Sequence, residues 1–167
     1  MRSRIAAIVL TLVVAASAQQ AKNGAPAPAP VPEQIAKART AFISNAGSDG
    51  AGVLYSGGDD RPYNQFYAAM KSWGRYELTP APAGSDLVFE LLFINPVLGF
   101  DVTGGSSGRA LTDPQLRLAI LDPSTHVVLW AFSEHVKQAN KQATSDKNLD
   151  DAMARLLASV KDLAARH

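Results

Sequence analysis

Residues Asp86 to Asn95 read D-L-V-F-E-L-L-F-I-N, an apolar run interrupted by a single glutamate. β-branched and aromatic side chains favour strands, and a run that is apolar at successive positions predicts a strand largely buried on both faces. Downstream, Gln115 to Leu121 and Thr125 to Val136 also have strand character, and the Asp122-Pro123-Ser124 segment between them is typical of a type I turn. We therefore expect an antiparallel hairpin in the same sheet as the buried strand.

The second strand of this hairpin is apolar at alternating positions on both sides. Because both sets of side chains are apolar, we expect both faces of the strand to be covered near its middle. One set is Val128, Trp130 and Phe132, and the other is Val127, Leu129 and Ala131.

Two amphipathic helices are expected to cover one face of the sheet. The first is predicted to be capped by Asp60, to have Pro62 in its first turn and to end at Gly74. Its apolar face consists of Tyr63, Phe66, Tyr67, Met70 and Trp73. The second is predicted from about Asn148 to Ala165 by an unbroken apolar stripe, with Asn148 or Ser145 as its cap.

Two shorter strands complete the expected set, Ala36 to Ser44 and Arg75 to Leu78. The glycine-rich segment Asn45 to Asp60 predicts a long loop, and Asn95 to Pro114 predicts either a surface loop or a poorly paired edge ribbon. Together these elements predict an α+β fold. Its form is a two-layer sandwich with a mostly antiparallel sheet of about five strands and two helices on one face.

The N-terminus has the pattern of a signal peptide. Arg2 and Arg4 precede the uncharged run Ile5 to Ala16, and Ala16-Ser17-Ala18 supplies a cleavage motif. From Ile5 to Ala18 there are only 14 residues, all uncharged, against the roughly 20 that a spanning helix needs. We therefore expect residues 1–18 to be a cleaved signal peptide, with no transmembrane anchor afterwards. Residues 19–33 are expected to form an Ala/Pro-rich linker, and residues 34–167 a single α+β domain.

Composition limits the classes of function. The chain has no cysteine, which excludes a disulfide and a catalytic thiolate and leaves no residue for a lipid anchor. Loss of Arg2 and Arg4 leaves 14 Lys and Arg (16 minus 2) against 15 Asp and Glu. Since these charges are interspersed, without a basic stripe, nucleic acid is not an expected partner.

One catalytic motif is present by sequence alone. Gly104 to Gly108 spells G-x-S-x-G around Ser106, and possible Asp and His partners follow at Asp113, Asp122, His126 and His135. The motif requires a helix directly after the serine, and Pro114 arrives too soon for one. A small secreted serine hydrolase using Ser106 is thus kept only as an alternative, and no catalytic residue is predicted.

Metal and cofactor sites are not predicted either. His126 and His135 lie nine residues apart on one predicted strand, which separates them by about 30 Å of extended chain. Asp49, Asp59 and Asp60 lack the alternating oxygen spacing and the closing glutamate of a calcium loop. Neither glycine-rich segment ends in Gly-Lys-Ser or Gly-Lys-Thr, as a phosphate-binding loop would. No cofactor is therefore expected.

The aromatic and acidic residues have two interpretations each. Tyr63, Phe66, Tyr67, Trp73 and Trp130 could line a ligand groove, which would make the protein a small-molecule carrier, but their periodicity favours the core. Asp86 and Glu90 could form a buried acid pair, and a solvated edge of the sheet is the preferred interpretation.

Two stretches resemble small bacterial envelope domains. The first is Tyr67 through Leu91, with the helix-ending segment Trp73 to Leu78 (W-G-R-Y-E-L) and Ser85 to Leu91 (S-D-L-V-F-E-L), and the second is the hairpin Leu116 to Phe132. Both stretches are similar to parts of uncharacterised secreted or lipid-anchored proteins that have the architecture of the TolB N-terminal domain and of curli-assembly lipoproteins. The resemblance implies an envelope protein that acts by association. It carries over no functional residues, and the chain departs from the lipoprotein members in lacking the anchoring cysteine.

These observations predict a non-enzymatic exported domain, periplasmic or extracellular, that binds another protein or an envelope polymer. The sheet edge or the glycine-rich loops are the expected contact surfaces, because an exposed strand can accept a partner strand through main-chain hydrogen bonds.

Overall fold

The computed structural model describes residues 29–49, 54–101 and 109–166. The predicted signal peptide and most of the predicted linker lie outside these ranges. In chain order the elements are α1 (Glu33–Lys37), β1 (Thr40–Ser48), α2 (Arg61–Trp73), β2 (Glu77–Leu78), β3 (Leu87–Ile94), β4 (Val97–Asp101), β5 (Arg109–Thr112), β6 (Gln115–Leu121), β7 (Val128–His135) and α3 (Gln142–Ala164).

The main sheet has five strands in the order β2-β1-β3-β6-β7, while β4 and β5 form a separate two-stranded sheet. The α+β class is confirmed, and so is the antiparallel β6–β7 hairpin. The sheet is mixed rather than mostly antiparallel, because β1 pairs in parallel with both β2 and β3. The parallel pairing follows from the connection. After β1, helix α2 crosses the face of the sheet and returns the chain to the end at which β1 began, so β2 and β3 run in the same direction as β1.

One face of the sheet holds the core. Along β3, Leu87, Phe89, Leu91 and Phe93 are buried, and the four residues that alternate with them are only half-buried. Helices α2 and α3 supply the second layer, through buried residues that include Phe66 and Met70 from α2 and Leu149, Met153, Leu156, Val160 and Leu163 from α3. The prediction that β3 is largely buried on both faces is therefore wrong, because the described elements cover one face and leave the other open.

Helix α2 ends as predicted and begins without the predicted cap. Gly74 has a left-handed backbone with φ of 68°, a conformation that only glycine adopts without strain. Asp60 does precede the helix, but its side chain makes no capping hydrogen bond. Its Oδ1 instead accepts a 3.0 Å hydrogen bond from Asn45 Nδ2.

The first strand lies four residues further along than predicted at both ends. The segment before Thr40 forms the short helix α1, whose end is held by Arg75, which donates to the carbonyls of Ala36 and Ala38. At its other end β1 runs to Ser48, into the predicted loop, because it keeps pairing with β3 as far as Phe93.

Helix α3 begins six residues before the predicted start, and neither predicted cap serves as one. Asn148 and Ser145 lie inside the helix, where their side chains donate to the carbonyls of Lys137 and Ala139. The polar first turns of α3 are stabilised by tertiary contacts rather than by an apolar stripe, which is why periodicity alone missed them.

Asp146 is the centre of those contacts. Its carboxylate accepts hydrogen bonds from Ser56 N (2.8 Å) and Ser56 Oγ (2.7 Å), and from Arg61 Nη1 (2.8 Å). Arg61 also reaches Asp150 Oδ1 at 2.7 Å, which ties the start of α2 to α3. The hydrogen bonds from Ser56 are the main reason that the pKa of Asp146 falls to about 2.

Candidate binding surfaces

In the segment Asn95 to Pro114, the described residues before 102 and after 108 form a two-stranded ribbon, which is closest to the second of the two predicted alternatives. Strands β4 and β5 pair only with each other, and they make sparse contact with the other described helices and strands. Phe100 pairs with Ala110, and Gly99 with Leu111, so Phe100 and Leu111 lie on opposite faces of the ribbon.

Both faces of this ribbon expose large apolar side chains. The exposed fractions are 57% for Val97, 70% for Leu98, 66% for Phe100 and 50% for Leu111. Single exposed apolar residues are ordinary on a protein surface, but a group of them on one element is a candidate interaction surface. We call these four residues the apolar ribbon.

Polar contacts anchor the base of the ribbon to the end of β7. Asp113 Oδ1 lies 2.8 Å from His135 Nδ1, and Gln138 Nε2 donates to Thr112 Oγ1 at 2.7 Å. The hydrogen bond with His135 is the main cause that lowers the pKa of Asp113. The base therefore has a fixed position against the main sheet.

The Asp113–His135 pair is also the part of the hydrolase alternative that the fold brings together. Ser106 and the rest of the G-x-S-x-G motif lie outside the described residues. Another serine near this pair is Ser133 on β7. Its hydroxyl donates to Gln115 Oε1 at 3.2 Å and not to His135.

The other two candidates for that site belong to the β6–β7 turn. Asp122 Oδ1 accepts from Ser124 N (2.7 Å), Ser124 Oγ (2.6 Å) and Thr125 N (3.1 Å), and the bonds from Ser124 are the main reason that its pKa falls to about 2. His126 occupies the left-handed region in the same turn, with φ of 57°. Asp122 is thus a turn-forming residue.

The remaining acidic candidates are Asp49, Asp59, Asp86 and Glu90, and the structure gives each its own setting. Asp49 accepts from Asn95 N, and Asp86 Oδ2 accepts from Arg39 N (2.8 Å) and Thr40 N (2.9 Å), which lowers the pKa of Asp86. Asp59 is exposed beside Asp60, and Glu90 is half-buried on the open face of β3. No group of three or more potential metal ligands comes together among the described residues.

Most of the aromatic face of α2 contributes to the core, as its periodicity predicts. Phe66 is fully buried, with its ring 6.3 Å from that of Phe89. Tyr67 differs, since it is 37% exposed, with its ring 6.2 Å from that of Tyr63. Trp130 and Phe132 on β7 are half-buried and Val128 is exposed, so the prediction that β7 is covered on both faces is wrong. The physical reason is its place at the edge of the sheet.

A polar cleft of about 440 Å³ lies between the start of α3, the base of the ribbon and Tyr55. Its lining is uncharged and rich in amide and hydroxyl groups. The residues are Leu54, Tyr55, Asn95, Ala110, Thr112, Gln138, Ala139, Asn140, Gln142 and Ser145. Its volume is within the range of small-molecule sites.

The sequence analysis named the glycine-rich segments as expected contact surfaces, but it did not single out the apolar residues of the ribbon. The signal that could have found the apolar ribbon was three large apolar residues, Val97, Leu98 and Phe100, inside a segment otherwise rich in glycine and serine. The polar cleft had no such signal, because its lining comes from four separate parts of the chain.

Comparison of the chain with protein families and with curated proteins finds no match. Among solved structures, a neuraminyllactose-binding hemagglutinin homolog from Helicobacter pylori aligns over 78% of this chain and 88% of its own, with 10% identity and a TM-score of 0.47. A DUF330 protein from Xanthomonas campestris aligns over 77% and 83%, with 13% identity and a TM-score of 0.43. PelC from Paraburkholderia phytofirmans, solved as a dodecamer, aligns over 74% and 88%, with 13% identity and a TM-score of 0.42.

At these identities and TM-scores, what the names of these proteins say does not extend to this chain. The resemblance to TolB and to curli-assembly lipoproteins stays a prediction. Within the described ranges, no helix combines the length and the apolar character that crossing a membrane requires.

Proposed function

We propose that this chain is a non-enzymatic exported domain that binds another protein through the apolar ribbon. The observation that carries the proposal is the exposure of Val97, Leu98, Phe100 and Leu111, each at least half accessible on a ribbon that packs against little else. Burying such side chains in a partner removes apolar area from water, at about 25 cal/mol for each Å².

Export and an envelope location belong to the same proposal. They rest on the predicted signal peptide and on the resemblance to envelope domains, which also implies action by association. An apolar surface favours a protein as the partner over a hydroxyl-rich envelope polymer, because apolar and aromatic anchors supply most of the binding energy in protein interfaces.

The test is site-specific photocrosslinking in the cells that export the protein. A photoreactive amino acid at position 98 should give one discrete adduct with another protein. The same group at Lys71, exposed on α2, should give none. With the photoreactive amino acid at position 111 instead, the double variant Leu98→Asp, Phe100→Asp should reduce the adduct at least tenfold, while the melting temperature stays within a few degrees of the wild type.

The matched control is Tyr67→Ser, which removes an exposed aromatic residue outside the ribbon and should leave the adduct unchanged. Equal crosslinking from positions 98 and 71, or an adduct unaffected by the two aspartates, would refute the proposal.

The polar cleft favours a second candidate, a carrier of a small uncharged ligand. This differs from the predicted carrier site, since the cleft lies beside the ribbon base and not along the aromatic face of α2. A thermal-melt screen of neutral metabolites tests it. A ligand that raises the melting temperature of the wild type but not of Asn140→Trp would support it, and no stabilising compound in the screen would count against it.

A further inference from the structure

A second surface with main-chain groups that point away from the sheet is the outer edge of β7. Val136 N donates to Pro114 O at 2.8 Å, which places the main-chain groups of residue 136 on the side of β6. In an antiparallel pair these groups alternate between the two sides. With the observed register, the N–H and C=O groups of Ala131, Ser133 and His135 therefore point away from the sheet.

This edge is longer and less protected than the other edge of the sheet, although a bulge interrupts its pairing with β6 at the Leu121–Val128 end. The other edge, β2, has only two residues, whereas β7 has eight and contains neither proline nor lysine. One outward group is occupied, since Arg155 Nη2 donates to His135 O at 2.9 Å. Among the described residues, the outward groups of Ala131 and Ser133 have no hydrogen-bond partner. Free main-chain groups on an exposed strand are a template for a further strand.

Concave surfaces flank the edge on both faces of the sheet. On the helix face, a crevice of about 150 Å³ lies between Trp130 and Phe132 on one side and Leu163 on the other, with Asp162 and Arg166 also in its lining. On the open face, a groove of about 390 Å³ has Leu92, Ala119 and Ala131 in its lining. An added strand directs alternate side chains to the two faces, so one set meets the crevice and the other the groove.

We propose that the edge of β7 accepts a short extended segment of a partner protein as a sixth strand, with one large apolar side chain of that segment in the crevice beside Trp130. The segment is short because Arg155 blocks the His135 end of the edge. The side chain is large and has an apolar body, because the crevice has about the volume of one such group and is lined by two rings and Leu163. Ser159, Asp162 and Arg166 supply the rest of the lining. Main-chain hydrogen bonds provide the affinity in this mode of recognition, and the side-chain sites provide the specificity. The inference rests on the proposed protein-binding function and assigns it a second contact surface.

The probe is a display library of random linear peptides selected on the full-length mature protein. Selected peptides should share one large apolar residue within an extended sequence whose side chains alternate between the two faces. Their binding should slow amide exchange in residues 129–135. Ala131→Pro removes one outward donor and is tolerated at an exposed edge, so it should weaken binding at least tenfold. Ala131→Thr keeps the N–H and should stay within about threefold of the wild type. A second variant, Ser159→Phe, fills the crevice from α3 and should abolish the apolar preference without altering the strand.

Peptides that bind Ala131→Pro and Ala131→Thr equally would overturn the inference. So would a wild-type protein that dimerises in light scattering and becomes monomeric as Ala131→Pro, because a second copy would then occupy the edge. The double ribbon variant separates the two proposals. If this variant loses its crosslinked partner but still binds the peptides, the edge of β7 binds independently of the ribbon. If crosslinking persists and no peptide is selected, only the edge inference fails.

Discussion

Replacing Phe66 with alanine should destabilise the protein more than any surface change, because this ring attaches α2 to the sheet. Phe66 is 0% exposed, and its ring lies 6.3 Å from that of Phe89 on β3. Truncation of a fully buried phenylalanine costs about 3–5 kcal/mol, as lost transfer energy plus an unfilled cavity. For a domain of this size about 1 kcal/mol corresponds to roughly 4 °C, so the melting temperature should fall by about 12–20 °C.

The matched control is the next residue of the same helix. Tyr67 is 37% exposed, so Tyr67→Ala should cost less than about 1 kcal/mol. Both variants gain the same helix-favouring residue, which leaves burial as the difference between them. Thermal and urea unfolding followed by circular dichroism would measure both. Equal losses for the two variants would refute the placement of α2 on the buried face of β3.

Three further predictions concern single side chains. Gly74→Ala should cost about 1–2 kcal/mol in urea unfolding because of its left-handed backbone, whereas Gly99→Ala, with neither positive φ nor a close neighbour, should cost far less; similar losses would contradict this. Asp146→Asn should lower the melting temperature at pH 7, and the difference should vanish as the pH falls from about 3.8 to about 2, because a carboxylate with a lowered pKa stabilises only while ionised. Asp86→Ala should cost about 1 kcal/mol at pH 7 through its lost main-chain hydrogen bonds, and the cost should shrink as the pH falls below 3.8 and the carboxylate becomes protonated. A loss that does not shrink with falling pH in either acidic variant would exclude the ionised carboxylate as the cause.

Local patterns predicted most of the elements and failed on their arrangement. Gly74 marked the end of α2 and Asp122 the β6–β7 turn, because in both cases the deciding interactions lie within a few residues. The parallel pairing of β1 with β3 joins residues 46 apart, as in the pair Ala41 and Leu87 (87 minus 41). No short-range periodicity encodes which strands become neighbours, and so the sheet was expected to be mostly antiparallel.

The candidate surfaces were less predictable for the same reason. The alternating apolar residues of β7 indicated a covered strand, and only its place at the edge of the sheet leaves Trp130 and Phe132 half-exposed. A ribbon was one of two predicted alternatives for its segment. The exposure of Leu98 and Phe100, however, depends on whether distant parts of the chain cover them. Exposure is a property of the whole fold and has no local signal.

The ribbon is attached to the sheet at two points that are themselves neighbours. Ile94 and Gln115 face each other across the β3–β6 pair, with Cα atoms about 5 Å apart as in any such pair. Replacing residues 95–114 would therefore leave the β3–β6 pairing intact, and it would cost the contacts of Asp113 with His135 and of Val136 N with Pro114 O. A tight two-residue turn could replace this segment, and the ribbon of another protein could be grafted in its place, so contact specificity can be exchanged between chains while the scaffold stays the same.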